Sequence, residues 1–255
     1  MGKVDMADNS RSGTAHGEPQ KRRTVLVVGA TGRLGVAIAA ALVKRQSRVV
    51  LTARDPDKLA SMAHELGGPE NSEPAVVCAD LTREDAASLI VAGVRNTVGR
   101  IDDIVLACGP FPRTPFETLR REDLHHTLTV HAVAPLLLVH ALAGDLAAAQ
   151  GAVVALGDVG TSRPYTNHVA YITAKGALKA GLRALSAELA PDVRINMLQL
   201  GIVADPEADL DPLRTHRLAA RSSLGRFGTP EEVAHVVLAL LDATWTTGET
   251  WNIGR

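Results

Sequence analysis

From Thr24 onward the chain alternates short β-branched runs with longer helical patterns, and this rhythm restricts the fold more than any other feature. The runs are TVLVVG (24–29), RVVLTA (48–53), AVVCAD (75–80), DIVLAC (103–108), AVVALG (152–157) and RINMLQ (194–199), with a last short one in ETWNIG (249–254). Helical periodicity fills 33–45, 56–67, 82–98, 117–149, 168–190 and 230–242. Repeated strand–helix–strand units imply right-handed crossovers and a parallel sheet covered on both faces. The expected fold is therefore α/β and Rossmann-type: one domain over 24–255, with a doubly wound parallel sheet of about seven strands. Composition agrees, since 46% apolar residues with only 3% aromatics suit Ala, Val and Leu packed against strands buried on both sides.

Other features narrow the class. Residues 1–23 lack periodicity and predict a disordered N-terminal tail, with Lys21-Arg22-Arg23 as a solvated strand entry. The polar, proline-bearing stretch 202–229 interrupts the rhythm after the sixth strand and is a candidate substrate lid. A net charge of −1 gives no electrostatic reason to expect a nucleic-acid partner or an anionic membrane surface. No apolar run approaches the roughly 18 residues of a membrane span. The two cysteines, Cys78 and Cys108, lie in apolar runs and read as buried thiols in a reducing compartment, with no metal-ligand spacing. With no apolar signal core at the start, these features predict a cytoplasmic protein.

The first strand ends in Gly29-Ala30-Thr31-Gly32-Arg33-Leu34-Gly35, and a helix comes directly after it. Glycines at this turn let the backbone approach a pyrophosphate, and the helix start supplies N–H donors and a positive dipole end. Gly29, Thr31, Gly32, Arg33, Leu34 and Gly35 are thus candidate contacts to a dinucleotide. An NAD site wants a carboxylate at the end of the second strand. Here Ala53 is followed by Arg54, whose guanidinium suits a 2′-phosphate, and the expected cofactor is NADPH/NADP. Asp55 more naturally starts the helix containing Pro56. Asp80, at the end of the third strand, either bonds the adenine edge or caps a helix beginning near Thr82.

Tyr171-Ile-Thr-Ala-Lys175 lies in a helical pattern, so phenol and ammonium share one face. A nearby ammonium is expected to lower the phenol's pKa and make it a proton donor near neutral pH. Lys175 could also bond ribose hydroxyls. The chain has only two tyrosines, Tyr165 and Tyr171.

With these residues in place, residues 24 to 254 resemble the short-chain dehydrogenase/reductase family. The resemblance rests on the Gly29–Gly35 loop, Asp80, VLACG (105–109), Tyr171-x-x-x-Lys175, ELAPDVRIN (188–196), RFGTPEEVA (226–234) and TGETWNIG (247–254). It implies an NADPH-dependent oxidoreductase with a small-molecule substrate. It also implies further cofactor contacts at Leu81, Gly201, Ile202 and Val203. Association into a homotetramer or homodimer is implied too, and the apolar stripe of Ala177, Leu178, Leu182, Leu185 and Leu189 would allow it, although a monomer core would use the same stripe.

The departures from the family pattern are informative. Asp158 stands thirteen residues before the tyrosine, where most members have Ser. His131 stands where most have an Asn that helps hold a proton-relay water. The usual Asn-Asn-Ala-Gly reads Leu106-Ala107-Cys108-Gly109, the usual Pro-Gly reads Leu200-Gly201, and Arg33 replaces the middle loop glycine. Arg33, Asp158 and Phe111 in GPFPRTP resemble the pteridine and dihydromonapterin reductases. In that branch Phe111 would stack a flat heterocycle on the nicotinamide, and Arg33 would reach phosphate and substrate. Asp158 would work with Tyr171 to protonate a ring nitrogen. The residues leave alternatives: Phe111 as a hydrophobic plug, Asp158 as the mark of an altered activity, His131 as a bond to buried backbone instead of a proton carrier. Three functions are compatible with these residues: reduction of a pterin-like planar C=N bond, reduction of a carbonyl (or alcohol oxidation) in a biosynthetic pathway, or non-catalytic dinucleotide binding.

Overall fold

The computed structural model describes residues 22–67, 73–204 and 211–254. Seven strands form one parallel sheet: β1 (Thr24–Val28), β2 (Arg48–Ala53), β3 (Ala75–Cys78), β4 (Asp103–Leu106), β5 (Ala152–Asp158), β6 (Arg194–Leu200) and β7 (Thr250–Ile253). Their order is β3-β2-β1-β4-β5-β6-β7, which is the doubly wound arrangement the sequence predicted. Strand order reverses direction between β1 and β4, and the crevice at their carboxyl ends is where such sheets bind ligands.

Alternation along the strands builds two cores. Val25 and Val27 of β1, Val154 and Leu156 of β5, and Leu198 of β6 face one side. There they meet α1 (Arg33–Lys44), α2 (Pro56–Leu66) and α9 (Pro230–Asp242). Leu26, Val28, Val153, Ala155 and Met197 face the other side. They meet α3 (Ala86–Thr97), α5 (Ala134–Ala141), α6 (Ala143–Ala148) and α7 (Val169–Leu189). Period-2 side-chain alternation is what lets one strand feed both cores.

The long helical pattern at 117–149 is broken. It comprises α4 (Arg121–Leu128), one wide π turn at Thr129–Val133, then α5 and α6. Pro135 accounts for the wide turn. It has no N–H for the carbonyl of His131 four residues back, and its ring crowds that carbonyl. The helix expected from 82 starts only at Ala86.

Several surface expectations need correction. Arg23, assigned to a tail and a solvated strand entry, is half-buried and gripped by Asp103, with Nε to Oδ2 at 2.6 Å and Nη2 to Oδ1 at 2.8 Å. Residues 1–21 of the expected tail lie outside the described residues. Cys108 is buried, but Cys78 is exposed because β3 is an edge strand. Within the supposed association stripe, Leu178 and Leu182 are buried in this chain's own core, with Leu185 and Leu189 packed against it. No helix is long and apolar enough to cross a membrane among the described residues.

Candidate active site

The glycine loop lies at the carboxyl end of β1. Gly29 has φ +81°, a left-handed conformation, and a Cβ there would meet backbone atoms of Cys108 at 2.7 Å. Gly32 is the N-cap of α1, and no side chain caps that helix. An uncapped helix start beyond a glycine turn is a good seat for a phosphate. Arg33, exposed at the first helical position, reaches the carbonyl of Val203 with Nη1 at 3.4 Å. At the end of β2, Arg54 is exposed. Asp55 caps α2 by accepting from the Lys58 N–H at 3.1 Å, with Pro56 at the first position, as the sequence suggested. Asp80 does not cap a helix, since α3 starts only at Ala86. Its Oδ1 accepts from the N–H and the hydroxyl of Thr82, both at 2.9 Å, and ties down a turn. The Thr82 bonds hold its carboxyl below the usual range. Leu81 is half-buried against the core.

The expected lid, 202–229, follows Gly201, begins with Ile202 and Val203 and contains α8 (Pro212–Ala219); residues 205–210 lie outside the described residues. Its two ends are stitched together: Ala204 N–H donates to Gly228 O at 2.8 Å and Gly228 N–H to Ile202 O at 3.0 Å. The excursion therefore leaves and rejoins the body at one point, beside the glycine loop that Arg33 links to it.

Tyr171 and Lys175 sit in the first turns of α7, both buried. They are not paired as the spacing suggested. Lys175 Nζ donates to the carbonyl of Leu156 in β5 at 2.9 Å and lies 5.8 Å from the centre of the Tyr171 ring. The Tyr171 hydroxyl donates instead to Asp158 Oδ2 at 3.2 Å. Burial first, and the carboxylate second, push the phenol's pKa well above the usual tyrosine value. The expected acidified phenol is thus corrected: burial disfavours the phenolate, and the adjoining carboxylate repels it. Burial also lowers the pKa of Lys175.

Asp158 ends β5. Its Oδ1 accepts from the Gly160 N–H at 2.6 Å, and its Oδ2 accepts a second phenol, Tyr165, at 2.9 Å. In all three bonds the Asp158 carboxyl is the acceptor. Tyr165 was missed as a site residue.

The loop after β4 is strapped over this group. His131, in the wide turn and 1% exposed, donates from Nε2 to Pro110 O at 2.9 Å, while its Nδ1 has no hydrogen-bond partner. A Cβ on Gly109, where φ is +101°, would collide with the His131 ring. Burial first, and the charge of Lys175 second, push the His131 pKa down to about 3, so the ring is neutral. Of the two readings kept for it, the backbone bond is the one seen. His168 donates from Nδ1 to Pro112 O at 2.8 Å. Phe111 stacks on His168, with ring centres 4.2 Å apart, and meets Tyr171 edge-on at 4.8 Å. One face of Phe111 is thus taken by His168, although the ring is 57% exposed.

A family model described as enoyl-(acyl carrier protein) reductase matches residues 29–254. The chain is 30% identical over 236 residues to L-xylulose reductase of Bos taurus, covering 89% of this chain and 93% of that protein. A solved short-chain dehydrogenase/reductase of glucose/ribitol dehydrogenase type from Brucella melitensis superposes with a TM-score of 0.80 at 30% identity, over 91% of this chain and 94% of that one. The chain belongs to the short-chain dehydrogenase/reductase family.

Other members extend the picture. Carbonyl reductase family member 4 of Danio rerio is 26% identical over 229 residues, covering 89% of this chain and 94% of that protein. L-Sorbose reductase of Gluconobacter frateurii, solved with NADPH and L-sorbose, shares the fold with a TM-score of 0.85 at 22% identity, over 91% of this chain and 94% of that one. As a short-chain dehydrogenase/reductase, this chain is a nicotinamide-dinucleotide-dependent oxidoreductase. The residues present fit such a cofactor: the glycine cradle that a Cβ would fill, the uncapped start of α1, and the buried ammonium of Lys175 at the crevice. Among the described residues no cluster of His, Cys, Asp and Glu could hold a metal ion.

Proposed function

We propose that this protein is an NADPH-dependent reductase of a flat substrate bearing a C=N bond, a pterin or a similar heterocycle, with Tyr171 and Asp158 managing the proton. The observation that carries this reading is the hydrogen bond from Tyr171 to Asp158 at 3.2 Å. In ketone reduction the substrate oxygen gathers negative charge, and a carboxylate beside it works against that charge. A ring with N–H donors, or a protonated imine, is attracted by the same carboxylate. Bound NADPH supplies the hydride. Tyr171, kept as a phenol by burial and by Asp158, is in the protonated form that reduction requires. Gly29, Thr31, Gly32, Leu34 and Gly35 would hold the pyrophosphate, with Gly201, Ile202 and Val203 closing over it. Arg54 would take the 2′-phosphate, and Lys175 the ribose hydroxyls. Phe111 and Arg33 would bound the substrate.

The test is NADPH oxidation across a panel of dihydropterins, cyclic imines and ketones. Turnover of nitrogen heterocycles that falls about a hundredfold in Asp158→Asn is expected. Ketones as the sole substrates, indifferent to that change, would overturn the reading. The second reading, carbonyl reduction, draws on the activities named for relatives such as L-xylulose reductase and carbonyl reductase family member 4.

A further inference from the structure

We propose that Tyr165 is a positioning residue of the proton-donating assembly: it fixes Asp158 against Tyr171 and returns a proton to Tyr171 after each turnover. The proposal rests on the reading of Tyr171 as the proton donor, but not on which substrate it serves.

The geometry is a fork. Tyr165 Oη at 2.9 Å and Tyr171 Oη at 3.2 Å both donate to Asp158 Oδ2, while Oδ1 is held by the Gly160 N–H at 2.6 Å. The carboxylate is therefore clamped at both oxygens, and the two phenols share one of them. Tyr171 is 8% exposed, whereas Tyr165 is only half-buried. The other polar neighbours of Tyr171 lead inward. Lys175 Nζ is buried on the Leu156 carbonyl, and His131 spends its donor on Pro110 O. Among the described residues, the hydrogen bond of the Tyr171 hydroxyl leads through Asp158 to Tyr165, the more exposed of the two phenols.

The proton balance is simple. Giving its proton to substrate leaves Tyr171 a phenolate. The O–H bond of Tyr165 breaks as its proton passes to Asp158 Oδ2, and a proton from Oδ2 forms the new O–H of Tyr171. Tyr165, now the phenolate, regains a proton from water. Both phenols are pushed above the ordinary tyrosine value by burial and by the same carboxylate. The titratable and charged groups around Tyr165 are Asp158 from β5, His168 and Tyr171 from the start of α7, and Arg221 from the segment after α8. Lys175 acts on Asp158 from below.

Two measurements on the full-length protein test this. Because the chain has only two tyrosines, ultraviolet phenolate titration of Tyr165→Phe reads Tyr171 alone, with no substrate needed. The titration of Tyr171→Phe likewise reads Tyr165 alone, and the wild-type profile is expected to differ from the sum of the two. Tyr165→Phe keeps the ring against His168, so packing survives, and a panel substrate is expected to show kcat lower by about ten- to a hundredfold. KM should stay near wild type, the solvent isotope effect on kcat should grow, and Tyr165→His should recover part of the loss. A wild-type titration equal to the sum of the two single-tyrosine profiles overturns the proposal, as does a wild-type kcat and isotope effect in Tyr165→Phe. Parallel losses in KM and melting temperature with no change in isotope effect also overturn it. If no panel substrate turns over, the substrate reading fails while the titration still decides this one.

Discussion

The Tyr171 hydroxyl is bonded to Asp158 at 3.2 Å, while Lys175, one helical turn further on, turns its ammonium to the Leu156 carbonyl at 2.9 Å. The acid–base character of the site therefore derives from the end of β5 more than from the spacing within α7. A phenol held in its protonated form carries the proton that reduction of a substrate consumes.

Replacing Asp158 by Ser removes the anion and restores a hydroxyl. Ketone reduction is expected to rise about tenfold over wild type, and turnover of C=N substrates to fall about a hundredfold. Steady-state kinetics with one ketone and one dihydropterin reads both arms, and unchanged preference would contradict the electrostatic argument.

Arg54 stands exposed at the carboxyl end of β2, with no carboxylate preceding it at Ala53. Arg54→Ala should raise KM for NADPH by about tenfold, near 1.4 kcal/mol, and leave KM for NADH unchanged. Equal effects on both cofactors would show that the guanidinium does not touch the 2′-phosphate.

His131 should make the fold acid-sensitive. Its pKa falls from 6.5 to about 3 in the folded protein, so between those values the unfolded chain binds the proton and the native one does not. Stability is whole above pH 6.5 and declines as pH falls toward 3, at a limiting slope of about 1.4 kcal/mol per pH unit for this one residue. Urea melts at pH 7 and pH 5 measure the slope, which His131→Gln should flatten.

Asp103 is 1% exposed, and it accepts the Ala152 N–H at 2.8 Å besides both arms of Arg23. Arg23→Ala leaves that carboxylate buried without its counter-charge. Because Arg23 itself is about one-third open to water, the cost should fall toward the low side of buried-pair losses, about 2–3 kcal/mol. Denaturation midpoints would register it, and a loss under about half a kcal/mol, the roughly neutral range of surface changes, would mean that solvent replaces the guanidinium.

The strand–helix order was legible because parallel strands here are apolar runs and the helices between them repeat with their own period. Gly29–Gly35 was legible because its place between β1 and α1 is a matter of chain order alone. The breaks in 117–149 were not, since one proline reorganises a turn without interrupting the apolar pattern around it. Cys78 was misread because edge position is a property of strand order, and β3 gives no sign of it in AVVC. Tyr165 escaped because it lies in an irregular segment between β5 and α7, with Asn167 at φ +66° separating it from Tyr171, and no periodicity links the three side chains. The available signal was that both tyrosines of the chain fall within seven residues. The Tyr171–Lys175 pairing was inferred from helical neighbourhood, which reports proximity but not which partner a side chain prefers.

The wide turn at Thr129–Val133 sets the rotational phase of α5. One residue advances an α-helix by about 100°, so deleting a single residue there would swing the α5 face now packed on the second core round to water. The local irregularity that presses His131 against the Gly109 loop is thus also the element that indexes this helix to the sheet, and the length of this five-residue stretch constrains catalytic pocket and scaffold together.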